Sequence, residues 1–358
     1  MSVSNFKNNN SSSNTLSSNT LSSNTLSSNT LSSNTLSSID LSTTIGNIKM
    51  ENPFINASGC HCMSWPELQN LSISDSGAFI SKSCTPLVRE GNPGIRYWTN
   101  NNSISINSMG LPNIGFSSYL NLKNRVDYQK PYFISLAGLS LQDNVTMVHD
   151  FLKNENNQYV SGLEFNLSCP NIVGKGQLGY NLESIDTYLK TIFETELVDI
   201  ANENLSIGVK LPPYFDISDF ADVADILKQY SRLNFVTCIN SIGNGLIINT
   251  ETETPVIQPK NGFGGIGGAV VKATALANVR QFYNLLGDHK SVVACGGVST
   301  GEDAFQHILA GASAVSVGTT LQDQGPKVFT RLISELQDIM RQKKYSDIND
   351  FKGQLKSF

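Results

Sequence analysis

Residues 205–240, LSIGVKLPPYFDISDFADVADILKQYSRLNFVTCIN, contain the repeating unit that decides the fold of this chain. An apolar run at 205–211 precedes an amphipathic stretch at 217–230, and a second apolar run follows at 234–240. Continuous apolar strands that alternate with helices are typical of a parallel sheet whose two faces are covered. The segment therefore predicts a β-strand, a crossover helix and a second, parallel β-strand.

The same unit recurs along most of the chain. Eight such units favour a closed α/β architecture, a single (β/α)8 TIM barrel, over an open doubly wound sheet. The apolar runs lie at 53–57, 78–82, 131–137, 162–168, 205–211, 234–240, 291–296 and 313–318. The clearest helical stretches lie at 142–153, 182–198, 217–230, 271–286, 301–309 and 326–343.

The N-terminal segment has a different composition. Residues 12–36 are five tandem copies of Ser-Ser-Asn-Thr-Leu, and no charged residue lies between Lys7 and Asp40. Such a segment cannot bury enough apolar surface to offset the entropy lost on ordering. We therefore expect a disordered tail at 1–41 and one barrel domain at 42–358.

Composition restricts the class of protein. The formal net charge of −5 argues against a nucleic-acid partner, because phosphate contacts usually need a basic face. The chain has no run of 18 apolar residues and no apolar leader at its N-terminus, so we expect neither a membrane span nor secretion. A cytoplasmic location follows, with the six cysteines as thiols.

Polar residues end most of the apolar runs. In a (β/α)8 barrel the C-terminal strand ends meet at one face, which is where active sites lie. Lys82 and Lys210 can each pair with a carboxylate or with negative charge on a flavin ring. A lysine that extends its amine from the rim into solvent would give the same pattern. The remaining polar ends are Ser58, Asn166, Asn240, Gly296 and Gly318.

The most specific segment is Asn166-Leu167-Ser168-Cys169-Pro170-Asn171. A cysteine suits proton abstraction because its ordinary pKa, about 8.5, is within reach of neutral pH. Asparagine amides both donate and accept hydrogen bonds, which suits the imide edge of a pyrimidine. From the residues alone, Cys169 as a buried structural thiol is an equally good interpretation.

Three further motifs are less specific for one function. Glycines at 296–297 and 318 follow the seventh and eighth runs, the usual phosphate site of these barrels, without distinguishing FMN from a sugar phosphate. The segment 262–267 matches GxGxxG, but no strand precedes it, so we interpret it as a flexible loop and not as a dinucleotide site. Cys60-His61-Cys62 lacks a second ligand pair, so we expect no metal there.

With these residues identified, the chain resembles the dihydroorotate dehydrogenases, specifically the soluble class 1A group, from Thr44 to Phe358. The segments that carry the resemblance are 56–59, 82–83, 107–113, 166–171, 210–214, 240–245 and the glycine segment that ends at Gly268. The resemblance implies FMN across the barrel mouth, in contact with Ala57, Ser58, Lys82, Ser83, Asn166, Lys210 and Ile239. It implies that the FMN phosphate binds at Gly268, Gly296, Gly297, Gly318 and Thr319.

The resemblance also implies the substrate site and the chemistry. The substrate residues would be Lys82, Asn107, Ser108, Met109, Gly110, Leu111, Asn166, Asn171, Asn240 and Ser241. Lys82 and the backbone at 109–111 would hold a carboxylate, and the asparagines would bind the ring edges. Cys169 would remove the C5 proton of dihydroorotate while C6 delivers hydride to flavin N5.

Class 1A members make orotate for pyrimidine synthesis, act as homodimers and return the electrons to fumarate. A class 1B enzyme, which passes electrons to NAD through an iron–sulfur partner subunit, remains an alternative, as does a uracil reductase like dihydropyrimidine dehydrogenase. A flavoprotein that reduces uridines in transfer RNA would need a basic face, which the net charge of −5 opposes. A non-catalytic barrel is the fourth alternative.

Overall fold

The computed structural model describes residues 39–101, 103–168, 176–196 and 204–357. Most of the predicted tail, residues 1–38, therefore lies outside the described residues. Residues 39–41, which we included in that tail, pack against the barrel. The Asp40 amide donates to Ser346 O at 2.8 Å, and Leu41 is buried in the main core. The folded body thus begins before residue 42.

Eight parallel strands form a barrel within the described ranges, which confirms the predicted fold class. Each strand lies inside one of the eight predicted apolar runs. From the second to the eighth, strands that follow each other in the chain are neighbours in the barrel, and the eighth lies next to the first. The strands are β1 (Phe54–Asn56), β2 (Phe79–Ile80), β3 (Tyr132–Leu136), β4 (Gly162–Asn166), β5 (Ser206–Leu211), β6 (Phe235–Cys238), β7 (Ser291–Cys295) and β8 (Ala314–Val317).

A side chain helps to close the ring between β1 and β2. The Asn56 amide Nδ2 donates to Ile80 O at 2.8 Å, and Asn56 Oδ1 accepts from Ile80 N at 2.9 Å. Two backbone hydrogen bonds flank this pair, from Gly77 N to Phe54 O and from Ser83 N to Ser58 O. The Asn56 carboxamide thus takes the place of a peptide group of a neighbouring strand.

Helices follow the strands and cover the barrel. Five of the six predicted helices are confirmed with ends shifted by at most two residues. The α-helix predicted at 182–198 ends at Lys190, and residues 197–198 lie outside the described residues. Three further helices, which begin at Trp65, Phe116 and Thr319, had no prediction. The helices are α1 (Trp65–Ser72), α2 (Phe116–Leu120), α3 (Leu141–Lys153), α4 (Leu182–Lys190), α5 (Ile217–Gln229), α6 (Lys272–Leu286), α7 (Gly301–Ala310), α8 (Thr319–Gln324) and α9 (Val328–Lys343). A π-helical turn, Thr191–Glu196, continues α4. Short 3-10 turns lie at Leu122–Asn124, Glu155–Tyr159, Leu178–Tyr180, Pro259–Gly262, Ala269–Val271, Gly287–His289 and Ile348–Asp350.

Local sequence explains where the helices begin. Ser140 caps α3 by accepting from Asp143 N, while the Asp143 carboxylate accepts from the backbone amide of Ser140. Thr300 and Asp303 form the same reciprocal pair at the start of α7. Such capping boxes satisfy amides that have no partner inside the helix.

Antiparallel strands close both ends of the barrel. The hairpin of Thr43–Ile45 with Ile48–Met50 buries Ile45 and Met50 against Phe133 and Phe235. At the opposite end, strands from the β2–β3 and β6–α6 connections form a four-stranded sheet, which we call the antiparallel sheet: Ile242–Gly245, Gly264–Gly267, Ser105–Asn107 and Tyr97–Thr99. A small hairpin, Ile248–Asn249 with Thr254–Pro255, extends the second connection.

The antiparallel sheet corrects our interpretation of the segment 262–267. We expected a flexible loop, but Gly264–Gly267 is a strand paired with Ser105–Asn107. Glycine allows this strand to pack closely against its neighbours, because a Cβ at Gly265 would lie 2.2 Å from Ser241 Oγ. Among the residues with described coordinates, no helix is long and apolar enough to cross a membrane.

Candidate active site

A pocket opens at the C-terminal ends of the barrel strands, beside the antiparallel sheet. Its volume is about 270 Å³, near the lower end of the range of roughly 300–1,000 Å³ found for small-molecule sites. The predicted residues that line it are Ala57, Ser58, Lys82, Ser83, Asn107, Met109, Gly110, Leu111, Asn166, Lys210, Ile239, Asn240, Ser241, Gly268, Gly296, Gly297, Gly318 and Thr319. Predicted residues from separate connections therefore meet in one cavity.

Three predicted residues remain to be placed. Cys169 and Asn171 lie outside the described residues. Ser108 is fully buried and does not line the pocket. Its carbonyl accepts from Asn92 Nδ2 at 2.9 Å, so Ser108 supports the loop from behind.

The loop of Met109, Gly110 and Leu111 is held from its outer side. Asn92 N donates to Met109 O at 2.8 Å, and Arg89 Nε donates to Gly110 O at 2.7 Å. Gly110 has a φ of +71°, and a Cβ there would lie 2.4 Å from Asn92 Oδ1. Only glycine fits this close approach, so the backbone path along the cavity wall depends on Gly110.

Asparagine amides are oriented by one another around the mouth of the barrel. Asn166 Nδ2 donates to Ser83 Oγ at 3.2 Å, and Asn240 Nδ2 donates to Asn166 Oδ1 at 3.1 Å. Asn240 Nδ2 also donates to Ser168 Oγ at 2.9 Å. Asn107 Nδ2 donates to Gly265 O in the antiparallel sheet at 3.2 Å. These contacts preset amide groups that can bind a polar heterocycle.

Two buried lysines give the cavity positive charge. Lys82 follows β2, is 7% exposed, and donates from Nζ to Gly59 O at 2.9 Å. Lys210 is on β5 and is 6% exposed. Burial by itself lowers the pKa of Lys210, but nearby thiol and carboxyl groups outweigh it, and the net pKa is raised. Lys210 therefore carries its charge at neutral pH.

A glycine-rich wall faces the lysines from the ends of β7 and β8. Gly297 has a φ of +75°, and a Cβ there would lie 2.4 Å from Lys272 Cβ. His307 on α7 supports this wall, with Nε2 3.0 Å from Gly296 O. Thr319 Oγ1 lies 2.8 Å from Ser105 Oγ of the antiparallel sheet. Backbone in this conformation can bring amide groups close to an anion.

Several lining residues were missed by sequence reasoning. Cys60 and Cys295 line the pocket, and burial raises the pKa of both thiols. Tyr97, on the antiparallel sheet, has a buried hydroxyl without a hydrogen-bond partner among the described residues. No sequence signal marked Tyr97, because its position depends on pairing between two distant connections.

A buried carboxylate lies below the cavity. Glu164 on β4 is 4% exposed and accepts hydrogen bonds from three hydroxyls: Ser58 Oγ at 2.8 Å, Ser135 Oγ at 3.1 Å and Thr237 Oγ1 at 2.8 Å. The sequence could have indicated this buried carboxylate, since Glu164 is the only charged residue in the apolar run 162–168. Buried carboxylates of this kind need compensating donors or charges.

Comparison with known proteins gives a consistent result. The profile of the family described as dihydroorotate dehydrogenase matches residues 40–340. Dihydroorotate dehydrogenase A (fumarate) of Lactococcus lactis subsp. cremoris (strain MG1363) is 49% identical over 322 residues, which are 88% of this chain and 99% of that protein. Dihydroorotate dehydrogenase (fumarate) of Trypanosoma cruzi (strain CL Brener) is 49% identical over 308 residues, 86% of this chain and 95% of that protein.

A solved structure supports the fold. The ligand-free DHODH of Eimeria tenella aligns with a TM-score of 0.72 and 22% sequence identity, over 88% of this chain and 91% of that one. At this identity the structural similarity supports only the barrel fold. The assignment to a family rests on the profile and on the two relatives. The chain belongs to the dihydroorotate dehydrogenase family, whose members are flavin-dependent enzymes.

Proposed function

We propose that this chain oxidises dihydroorotate to orotate in pyrimidine synthesis, with FMN as its cofactor and fumarate as the final oxidant. The main support for the proposal is that one cavity is lined by Lys82, Lys210, the asparagine amides and the glycine wall. Relatives at 49% identity are named for the same reaction with fumarate.

The residues of the cavity fit FMN. Within the described part of the chain the buried Tyr97 hydroxyl has no hydrogen-bond partner, which supports a polar ligand, and the glycine wall supports a phosphate. In the proposal the phosphate binds the backbone at Gly268, Gly296, Gly297, Gly318 and Thr319. The ring system contacts Ala57, Ser58, Lys82, Ser83, Asn166, Lys210 and Ile239. Bound FMN would supply the acceptor for the hydride from substrate C6, and it would later return that hydride to fumarate.

The protein binds and orients dihydroorotate. Lys82 pairs with the substrate carboxylate, assisted by the backbone of residues 109–111. Burial of the Lys82 amine strengthens this pairing, because solvent does not screen it well. The amides of Asn107, Asn166, Asn171 and Asn240, with Ser241, bind the ring edges. Fumarate is a flat dianion, so the same lysine and amides can bind it after orotate leaves.

Cys169 takes the C5 proton in this proposal. Its assignment depends on the sequence, since residue 169 lies outside the described residues. Ser168, the last described residue before it, accepts a hydrogen bond from Asn240, which lines the cavity. In the return reaction fumarate gains the hydride and one proton and becomes succinate.

A steady-state assay of the purified full chain tests the proposal. With dihydroorotate as donor we expect turnover with fumarate, and little with NAD or a quinone analogue. Turnover with NAD only, through an added partner, would favour the class 1B alternative. A protein that stays colourless after incubation with FMN and does not turn over would contradict the proposal.

The assembly and the tail are part of the same proposal. We infer a cytoplasmic homodimer, with residues 1–38 as a tail that the reaction does not need. Sedimentation of the full chain should give twice the monomer mass of 38.9 kDa. Removal of residues 1–38 should leave both the dimer and the turnover with fumarate unchanged, and loss of either would refute this assignment.

A further inference from the structure

Glu164 and Lys210 lie on neighbouring strands inside the barrel, below the proposed flavin site. On the neighbouring strands β4 and β5, Lys210 is in register with Asn166, two residues beyond Glu164. Residues two apart on a strand point to the same face, and Asn166 and Lys210 line the same pocket. Glu164 and Lys210 also line one small internal cavity of about 10 Å³. The two residues therefore share this cavity, and the carboxylate acts electrostatically on the amine.

Besides Glu164, the groups that raise the pKa of Lys210 are thiols. Cys295 on β7, and Cys60 and Cys62 after β1, act on Lys210 electrostatically, together with Glu164. Burial raises the pKa of each of these thiols, so they are neutral near pH 7. Among the groups that act on Lys210, Glu164 is then the one that supplies a negative charge.

Hydroxyl groups hold the Glu164 carboxylate in place. Ser58 and Ser135 donate to Oε1, and Thr237 donates to Oε2, so both oxygens have partners. Three neutral donors stabilise a buried anion without cancelling its charge. The charge of Glu164 thus remains available to the lysine.

We propose that Glu164 is the positioning residue that keeps the Lys210 amine protonated beneath the flavin, so that oxidation and reduction of the flavin leave the charge of Lys210 unchanged. This inference rests on the proposed function for the flavin, but the pairing of Glu164 with Lys210 belongs to the protein alone. The two parts can therefore be tested separately.

The first test uses the full chain freed of flavin. Competitive labelling with acetic anhydride between pH 7 and 11, followed by mass spectrometry, gives the titration of Lys210, with the exposed Lys344 as internal reference. In the wild type we expect the charge of Glu164 to keep Lys210 mainly protonated up to pH 9, against the lowering of its pKa by burial. Titration clearly below pH 9 would overturn the proposal, and this measurement needs no variant.

Variants separate charge from packing. In Glu164→Gln, labelling of Lys210 at pH 9 should rise at least about tenfold relative to Lys344, because one pKa unit changes the neutral fraction tenfold. Thr237→Val removes one hydrogen bond to Glu164 and keeps the charge, so labelling should match the wild type. Glu164→Asp should restore most of the wild-type behaviour. Equal effects of Glu164→Gln and Thr237→Val, or no effect of Glu164→Gln, would overturn the proposal.

The second test uses the flavin-bound chain. Spectroscopic redox titration between pH 7 and 9 measures how many protons accompany the two electrons. In Glu164→Gln, Lys210 should release its proton when the flavin is oxidised and regain it on reduction. The number of protons taken up per two electrons should therefore exceed the wild-type number by as much as one. The wild type and Thr237→Val should share a shallower slope. Parallel slopes in all three proteins would overturn the flavin part, while the labelling result still decides the pairing.

Discussion

Acidification should destabilise this protein through one buried histidine. Burial is the main reason why the pKa of His307 falls from 6.5 to about 4. The neutral ring bonds Gly296 O through Nε2, and Nδ1 has no hydrogen-bond partner among the described residues. A second proton would therefore be buried without an acceptor. Because the pKa is lowered in the folded state, the stability is fully present above pH 6.5 and is lost as the pH falls towards 4.

The size of the effect follows from these two values. A pKa difference of about 2.5 units corresponds to about 3 kcal/mol in total, of which about 2 kcal/mol is lost between pH 7.5 and pH 5. Urea unfolding of the wild type and of His307→Gln at both pH values measures it. The glutamine amide can donate to Gly296 O but does not titrate, so it reports all other pH effects.

We expect the wild type to lose about 2 kcal/mol more than His307→Gln between the two pH values. If both proteins lose the same free energy of unfolding, His307 does not remain neutral in the folded state and the argument fails. A wild type that loses less than the variant would reverse the sign and refute it as well.

Three further predictions concern the cavity. Lys82→Ala should weaken orotate binding more than FMN binding in equilibrium titrations, since its amine is assigned to the carboxylate; the opposite ranking would contradict that role. Cys169→Ser should slow flavin reduction by dihydroorotate steeply near pH 7 in stopped-flow measurements and leave FMN bound, and full activity would remove Cys169 from the mechanism. Tyr97→Phe should weaken FMN binding several-fold by fluorescence titration, about 1 kcal/mol for one hydrogen bond, with unchanged affinity as the contrary result.

The barrel could be predicted because each apolar run carries its own signal. The run 205–211 contains strand β5 entirely, and its helix, predicted at 217–230, ends one residue earlier at Gln229. Strands buried on both faces are apolar at every position, so a local window of sequence is enough to find them. The polar ends of the runs then indicated the lining of the cavity.

The antiparallel sheet could not be predicted in this way. Its strands come from connections that are more than 100 residues apart, such as Ser105–Asn107 and Gly264–Gly267. Three of the four residues in the second strand are glycines, which carry no strand signal. Tyr97 was missed because it reaches the cavity only through this pairing. Ser108 was assigned to the substrate although its side chain is buried beside Asn92.

The carboxamide of Asn56 has one consequence for the geometry of catalysis. Ala57 and Ser58 follow β1 at one edge of the barrel sheet, and Lys82 and Ser83 follow β2 at the other edge. These two pairs form the two halves of a platform for a flat ligand. The halves meet at the seam where the Asn56 carboxamide joins β1 to β2. Without the amide, Ile80 N and O would lose their partners in a region closed to water. The two flanking backbone hydrogen bonds would then hold the seam with less support, and the spacing between the platform edges would vary more while every strand kept its shape. A residue that touches no ligand thereby fixes the width over which a flat cofactor can be held.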